Sequence, residues 1–479
     1  MNLHNFRTFQ FLLLLLASTV NGQGVPPHKE KPNIVLFFID DLGYGDLSVN
    51  GALGYLTPNL DKMAMEGTRF TNFMAAQAVC SASRAALLSG CYPNRLGISG
   101  AYGPESKVGL NPEEETIAEV VKKRGYATAI FGKWHLGSRK EFLPLQQGFD
   151  EFYGVPYSHD MWPGHPNQAH AQYPPLFWIE GNEKADAIAT LSDASALTPN
   201  ITERAVGFIR KNKSNPFFLY IPHPLPHVPL AASARFRGKS SRGIFGDVLM
   251  EIDWSVGQIM QELKAQGLDE NTLVIFTSDN GPWLNYGDHA GSTGGFREGK
   301  GSSFEGGQRV PCIMRWPGVV PAGRVNNQLM AAMDILPTIA SLTGAALPTK
   351  KIDGISMAGL IKGEEAISPR KNFLYYYRRN NLEAVRQGDW KLVFEHAGRS
   401  YEGQLPGKDG MPGPAPENHL FPKALYHLTR DPGERYDVLE QNPDIVKELE
   451  ALAEEARTDL GDDLQKRKGK NVRPIGRVE

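Results

Sequence analysis

Apolar positions along the chain fall in short continuous runs separated by segments of helical spacing. Residues 34–39 (IVLFFI) form an unbroken run rich in β-formers, as expected of a strand buried on both faces. Residues 115–123 (ETIAEVVKK) have helical spacing, stop at Gly125 and lead into a second strand at 127–131. The run FFLYI (217–221) predicts a third strand, residues 246–266 a long helix closed by Gly267, and LVIFT (273–277) a fourth strand. This alternation predicts an α/β fold with a mostly parallel sheet and crossover helices. Beyond about residue 345 the pattern shortens. Residues 373–377, 384–386 and 390–394 read as a small antiparallel sheet, followed by a polar helix near 444–458. Residues 403–417 are expected to be a long loop, and the basic, Gly-rich residues after Gln465 are expected to pack poorly.

One apolar run differs from these. Residues 9–20 follow His4 and Arg7, precede small residues, and are too short for a membrane span, so residues 1–23 read as a signal peptide and export is expected. The remaining chain divides into a large part, residues 30–345, and a smaller C-terminal part, 346–479. With 51 Lys+Arg against 53 Asp+Glu the net charge is −2, which gives no field to attract nucleic acid. Three cysteines cannot build a disulfide framework, and at least one must stay unpaired within the chain. Asn200 and Asn212 each open a glycosylation sequon.

The chemistry lies where each predicted strand stops. The first is followed by Asp40 and Asp41, the second by Lys133 and His135, the third by His223 and His227, and the fourth by Asp279 and Asn280. Each group alone reads equally well as a cap, a turn or a solvated loop residue. Their shared position, outside the carboxyl ends of strands in one sheet, is where open α/β sheets bind ligands. Three carboxylates with an amide oxygen match a hard divalent cation, and calcium suits an exported protein. Without a cation, one of the three carboxylates should take up a proton. Arg84, Lys133 and Lys300, with His135 and His227, would then surround an anion. Cys80 precedes the apolar run 85–88 and a stop at Gly90, which places it at the start of a short helix. A helix amino end favours a thiolate or another oxyanion there, against the plainer reading of a small buried cysteine. Arg84, four residues on, reaches the same helix face.

The segment CSASR (80–84) resembles the sulfatase signature in which the cysteine becomes formylglycine. FIDDLGYGD (38–46), TPNLD (57–61), GKWHLG (132–137), GVPYSHD (154–160), SDNGP (278–282), GKGSSFEGG (299–307), LYHL (425–428) and DPGE (431–434) follow in the order of the arylsulfatase A-like and galactosamine-6-sulfatase-like branch. Ala82 stands where that family usually has Pro. The resemblance implies an alkaline-phosphatase-like large domain and a sulfuric ester hydrolase. It further implies calcium on Asp40, Asp41, Asp279, Asn280 and the hydrated aldehyde made from Cys80. Arg84 and Lys133 would hold that hydrate, with His135 as its base. One hydroxyl of the hydrate would attack sulfur and displace the alcohol; the other would then collapse to expel sulfate and restore the aldehyde. His227 and Lys300 would contact the sulfate and protonate the leaving oxygen. His227 is preferred to His223 because Pro-His-x-Pro is the form the family uses. Ser158 and His159 match a substrate-contacting pair, and Trp162, Trp283 and His289 are expected on a rim that suits a galacto-configured sugar ring. The implied partners are a sulfated saccharide and, during maturation, a formylglycine-generating enzyme. If Cys80 stays a thiol, the alternative is a non-catalytic glycan-binding protein. A phosphate-ester hydrolase of the same superfamily would usually need Ser or Thr as nucleophile and a second metal cluster.

Overall fold

A computed structural model describes residues 31–479, so the expected signal peptide lies outside the described residues. An eleven-stranded sheet dominates the chain. Its strands are β1 (Asn33–Ile39), β2 (Thr68–Met74), β3 (Ala127–Lys133), β4 (Glu151–Val155), β5 (Leu176–Glu180), β6 (Glu183–Ile188), β7 (Phe217–Ile221), β8 (Thr272–Ser278), β9 (Arg309–Arg315), β10 (Arg324–Asn326) and β11 (Met330–Ala331). In space the order is β10-β2-β9-β8-β1-β7-β3-β4-β5-β6, with β11 paired to β2. The central five, β8-β1-β7-β3-β4, are all parallel and point their carboxyl ends the same way.

Both faces of that central sheet are covered, as a continuous apolar run requires. Ile34, Leu36 and Phe38 of β1 enter one core, whereas Val35, Phe37 and Ile39 enter the other. Phe218 and Tyr220 of β7 split from Phe217, Leu219 and Ile221 in the same way. The predicted helices are present as Ile117–Lys122, capped by a reciprocal Thr116–Glu119 box, and Ile244–Ala265. Among the described residues no helix is long and apolar enough to cross a membrane.

The C-terminal sheet runs β12 (Asn372–Tyr377), β13 (Asn381–Gln387), β14 (Trp390–Val393) and β15 (Ala424–His427), all antiparallel, with helix Pro443–Leu460 packed on it. Its core takes in Met74, Ala86, Tyr92 and Phe304 from the large part. Beneath it lies a buried ion cluster. Glu305 accepts from Arg309 (2.7 Å) and Tyr375 Oη (2.6 Å), and Lys391 Nζ pairs with Glu434 (2.6 Å) and donates to the Ser303 carbonyl (2.8 Å).

Residues after Gln465 depart from the expectation of poor packing. Residues 467–468 pair with 461–462, residues 476–477 pair with 108–109, and Arg473 forks onto the buried Glu114 (2.7 and 2.8 Å). The basic side chains that argued against packing are the ones a buried acid requires. Asn212 is also buried, and its amide donates to the Phe208 carbonyl, which leaves its sequon unavailable in the folded state.

Candidate active site

Parallel register builds the site. Ile39 of β1 pairs with Ser278 of β8, so Asp40 and Asp279 leave the sheet side by side. Asp41 is held in a left-handed conformation (φ 61°), its amide donating to Asp279 (3.1 Å). Such backbone strain persists only where its surroundings enforce it. β3 delivers Lys133 as its last residue and His135 two positions on, also left-handed (φ 59°). Gly132 is needed there, because a Cβ would lie 2.1 Å from the Pro222 carbonyl oxygen. β7 leads to His227, and β4, which the hydrophobic pattern did not single out, leads to Ser158 and His159. Lys300 arrives on the loop between β8 and β9, with the Gly301 amide donating to the Ala78 carbonyl just before Cys80.

Cys80 opens the helix Cys80–Ser89, which ends at left-handed Gly90 as the sequence predicts. Its Sγ lies 3.4 Å from Asp40. The expected thiolate is not what this environment favours. Burial, followed by the Asp40 charge, pushes the thiol well above its ordinary range and outweighs any pull from the helix end. Ala82 donates its amide to the Gly100 carbonyl (3.3 Å), a bond that Pro could not make.

The side chains around Cys80 interlock. Arg84 donates to Asp279 (2.8 Å) and the Lys133 carbonyl (3.1 Å) and lies 3.3 Å from Asp40. Lys133 Nζ donates to Asp40 (2.5 Å) and Ser158 Oγ (2.9 Å). Lys300 pairs with Asp41 (2.8 Å) and sits 4.4 Å above the Trp283 ring. The three carboxylates do not titrate alike. Burial opposes ionisation of Asp40, yet the Lys133 and Arg84 cations hold it well below the usual range. Burial and then the Asp40 charge push Asp279 up to about 8, and burial raises Asp41 as well.

These residues suit a hard cation. One oxygen each of Asp40, Asp41 and Asp279 lie within 4.8 Å of one another. The Asn280 amide nitrogen donates to Asp41 (2.7 Å), whereas its Oδ1 is buried with no hydrogen-bond partner among the described residues. A buried carbonyl oxygen left unpaired beside three crowded carboxylates is what a bound divalent ion would satisfy.

Backbone carbonyls fix the histidine tautomers. His135 Nε2 faces the Tyr102 carbonyl (2.9 Å) and must carry the proton, which leaves the buried Nδ1 lone pair without a partner. His227 Nδ1 faces the Val228 carbonyl (2.7 Å), so its lone pair is on Nε2, 3.6 Å from Asp41. Burial and neighbouring cations hold both rings well below the ordinary histidine range, hence neutral. His223 does not join them: its Nε2 shares a hydrogen bond with Ser255 Oγ (3.2 Å), its ring stacks on Phe37, and it is held at about 3 by burial alone.

The model of the sulfatase family matches residues 32–345, and that of the C-terminal region of aryl-sulfatase matches residues 368–477. The chain belongs to the sulfatase family. This sulfatase is 39% identical over 451 residues to N-acetylgalactosamine-6-sulfatase of Canis lupus familiaris, an alignment covering 89% of the chain and 85% of that relative. It is 39% identical over 465 residues to arylsulfatase A of Homo sapiens, covering 92% and 89%. Among solved structures, a sulfatase from Pseudoalteromonas sp. superposes with a TM-score of 0.79 at 30% identity, covering 89% of this chain and 91% of that one. Ps i-CgsB in complex with k-i-k-neocarrahexaose gives 0.75 at 30% identity, covering 89% and 92%. The protein is therefore a sulfuric ester hydrolase.

The rim of the sulfatase differs in part from expectation. Trp162 is buried in a hydrophobic core and presents no face to a ligand, whereas Trp283 is half-buried against His227 and Lys300. Spacing along the chain also could not disclose that Tyr401 Oη donates to the Lys300 carbonyl (2.6 Å). Arg399 also reaches Trp283 and hydrogen-bonds the Lys300 carbonyl (3.5 Å). Both residues come from the C-terminal part, about a hundred positions away.

Proposed function

We propose that this sulfatase hydrolyses a sulfate ester of a galacto-configured saccharide. In this reading it uses residue 80 after conversion of Cys80 to formylglycine, with calcium held by Asp40, Asp41, Asp279 and Asn280. The observation that carries the reading is the convergence of three carboxylates and the unpaired Asn280 Oδ1 beside Cys80. A cysteine whose thiol is held up by burial is a poor nucleophile, and its modified form would supply oxygen in its place. Bound there, the ion would lower the pKa of a hydroxyl on residue 80 and offset charge on the sulfate oxygens.

The chain's own groups divide the remaining work. Arg84 and Lys133 brace residue 80 from the two sides of Asp40. The free Nδ1 lone pair of His135 takes the proton. Lys300, held protonated despite burial by the Asp41 charge, donates toward the departing oxygen. His227, neutral with its proton on Nδ1, lines the sulfate site and holds no proton on Nε2 to give. Ser158 and His159 contact the sugar. Relatives that act on N-acetylgalactosamine-6-sulfate, and a structural neighbour solved with a hexaose, support the saccharide. Residues 30–345 carry the reaction and 346–479 support it. The apolar run before residue 23 supports export, and the burial of Cys80 supports modification before the fold closes.

Mass spectrometry of the peptide containing residue 80, from a host that makes formylglycine, should show loss of the thiol. Cys80→Ala should abolish sulfate release. Full activity in Cys80→Ala overturns the mechanism, and an intact thiol in a protein that still binds sulfated glycans favours a binding role.

A further inference from the structure

Asp160 follows Ser158 and His159 on the turn after β4, and its surroundings are unlike those of the other acids nearby. Its backbone is pinned, with the carbonyl accepting from the Trp162 amide (2.9 Å) and His170 Nδ1 (2.6 Å). Its side chain is not. Asp160 is 8% exposed, and its Oδ1 is fully buried with no hydrogen-bond partner among the described residues. Asp40 and Asp41 are each answered by a lysine, but Asp160 has no ion pair among the described residues. The turn nevertheless borders the crevice, since the ring of the adjacent His159 stands 5.8 Å from that of His227.

Two further polar atoms on the same turn are buried and unpaired. His159 Nε2 faces the Pro229 carbonyl (3.2 Å) and carries the proton, so its unpaired Nδ1 is an acceptor. His165 Nδ1 accepts from the Asn167 amide (2.9 Å), so its unpaired Nε2 is a donor. Leaving one such group buried and unpaired costs stability, and three on one turn indicate a partner that arrives from outside. The unpaired set is two acceptors, one of them anionic, and one donor. A second sulfate or a carboxylate would be repelled by Asp160. Neutral hydroxyls, which both donate and accept, match the set.

We propose that Asp160 is a specificity-determining residue that accepts hydrogen bonds from ring hydroxyls of the saccharide, so that the turn 158–165 favours a sugar bearing free hydroxyls beside its sulfate over one bearing a second anion. This deepens the saccharide-sulfatase reading and rests on it.

The test separates the two by measuring binding without turnover. In a Cys80→Ala background, calorimetry compares a monosulfated galacto-configured saccharide, its disulfated counterpart and inorganic sulfate, with Asp160 intact and as Asp160→Asn or Asp160→Ala. Both substitutions should weaken binding of the monosulfated saccharide about tenfold or more beyond any effect on inorganic sulfate, since one charge-assisted hydrogen bond is at stake. Asp160→Asn should also narrow the gap between mono- and disulfated ligands. Because no protein group bonds Oδ1, Asp160→Asn should melt no lower than its parent, whereas an acid serving the fold would lose stability. Equal weakening of saccharide and sulfate, a saccharide that binds no tighter than sulfate, or a lowered melting temperature in Asp160→Asn overturns the inference. Saccharide binding that depends on Asp160, combined with no sulfate release by protein carrying formylglycine, leaves it standing and sinks the sulfatase reading of the site instead.

Discussion

Two clusters of buried charge lie on either side of the Lys300 loop; burial raises the carboxyls in both, yet its balance against the neighbouring charges tips in opposite directions at Glu305 and Asp279. Around Glu305, burial is outweighed by Arg309, Lys391 and Arg386, and the carboxyl is held far below its usual range. Around Asp279, burial and the Asp40 charge prevail over Arg84, and the carboxyl rises to about 8. Depth is the same in both. What differs is the direction of the oxygens: Glu305 meets a guanidinium, a phenol and an ammonium, whereas Asp40, Asp41 and Asp279 bring oxygens toward one another and leave Asn280 Oδ1 unpaired. A cluster complete within the chain braces the fold. One left incomplete in its donors is prepared for something the chain does not supply.

Breaking the complete cluster should cost most. Lys391→Met leaves Glu434 and Glu305 short of a buried cation and should lower stability by about 3–5 kcal/mol, read as a fall in melting temperature by calorimetry. A loss no larger than that of a surface lysine would mean that the cluster contributes little to holding the C-terminal sheet. Chelation should act on the incomplete cluster. A ligand present at about a hundred times its Kd stabilises by about 2.7 kcal/mol, so exhaustively chelated protein should melt lower, lose activity, and recover both on addition of calcium. Coincident melting curves with and without chelator would show that these oxygens hold no ion.

The smallest effect tests a carboxyl with neither a cation cluster nor a metal role. Glu383 is buried in β13, and burial raises it to about 7, above the 4.5 of an unrestrained glutamate. The folded state therefore keeps a proton that the unfolded state releases. Stability from this group is complete below about 4.5 and is lost as pH rises through 7. Relative to Glu383→Gln, the wild-type protein should lose about 1 kcal/mol per pH unit between pH 5 and 7, measured by denaturant titration at each pH. Parallel profiles would place the proton elsewhere.

Legibility in the sequence followed the same division. β1, β7 and β8 are unbroken apolar runs, and the acids and amide that follow two of them marked out the candidate cation site before any geometry was known. β4 (EFYGV) was missed because Gly and Glu interrupt its pattern, and with it went the structural reason that Ser158, His159 and Asp160 reach the crevice. Trp162 was misplaced because composition cannot tell a rim aromatic from a core one. The support of Lys300 by Tyr401 was invisible, since only tertiary folding joins positions so far apart. The tail was misjudged for a related reason: charge along a segment says nothing about which buried acids await it.

That tail bears on the order in which the molecule is made. Arg473 is synthesised 359 residues after Glu114, the buried acid it neutralises, and residues 476–477 come later still to cover the edge at 108–109. Until they leave the ribosome, Glu114 has, among the described residues, only the more distant Lys350 (3.4 Å) to answer it, and the strand edge at 108–109 stays open. Closure of that edge therefore waits on residues 476–477, and a nascent chain that has not yet reached them would hold the edge at 108–109 open.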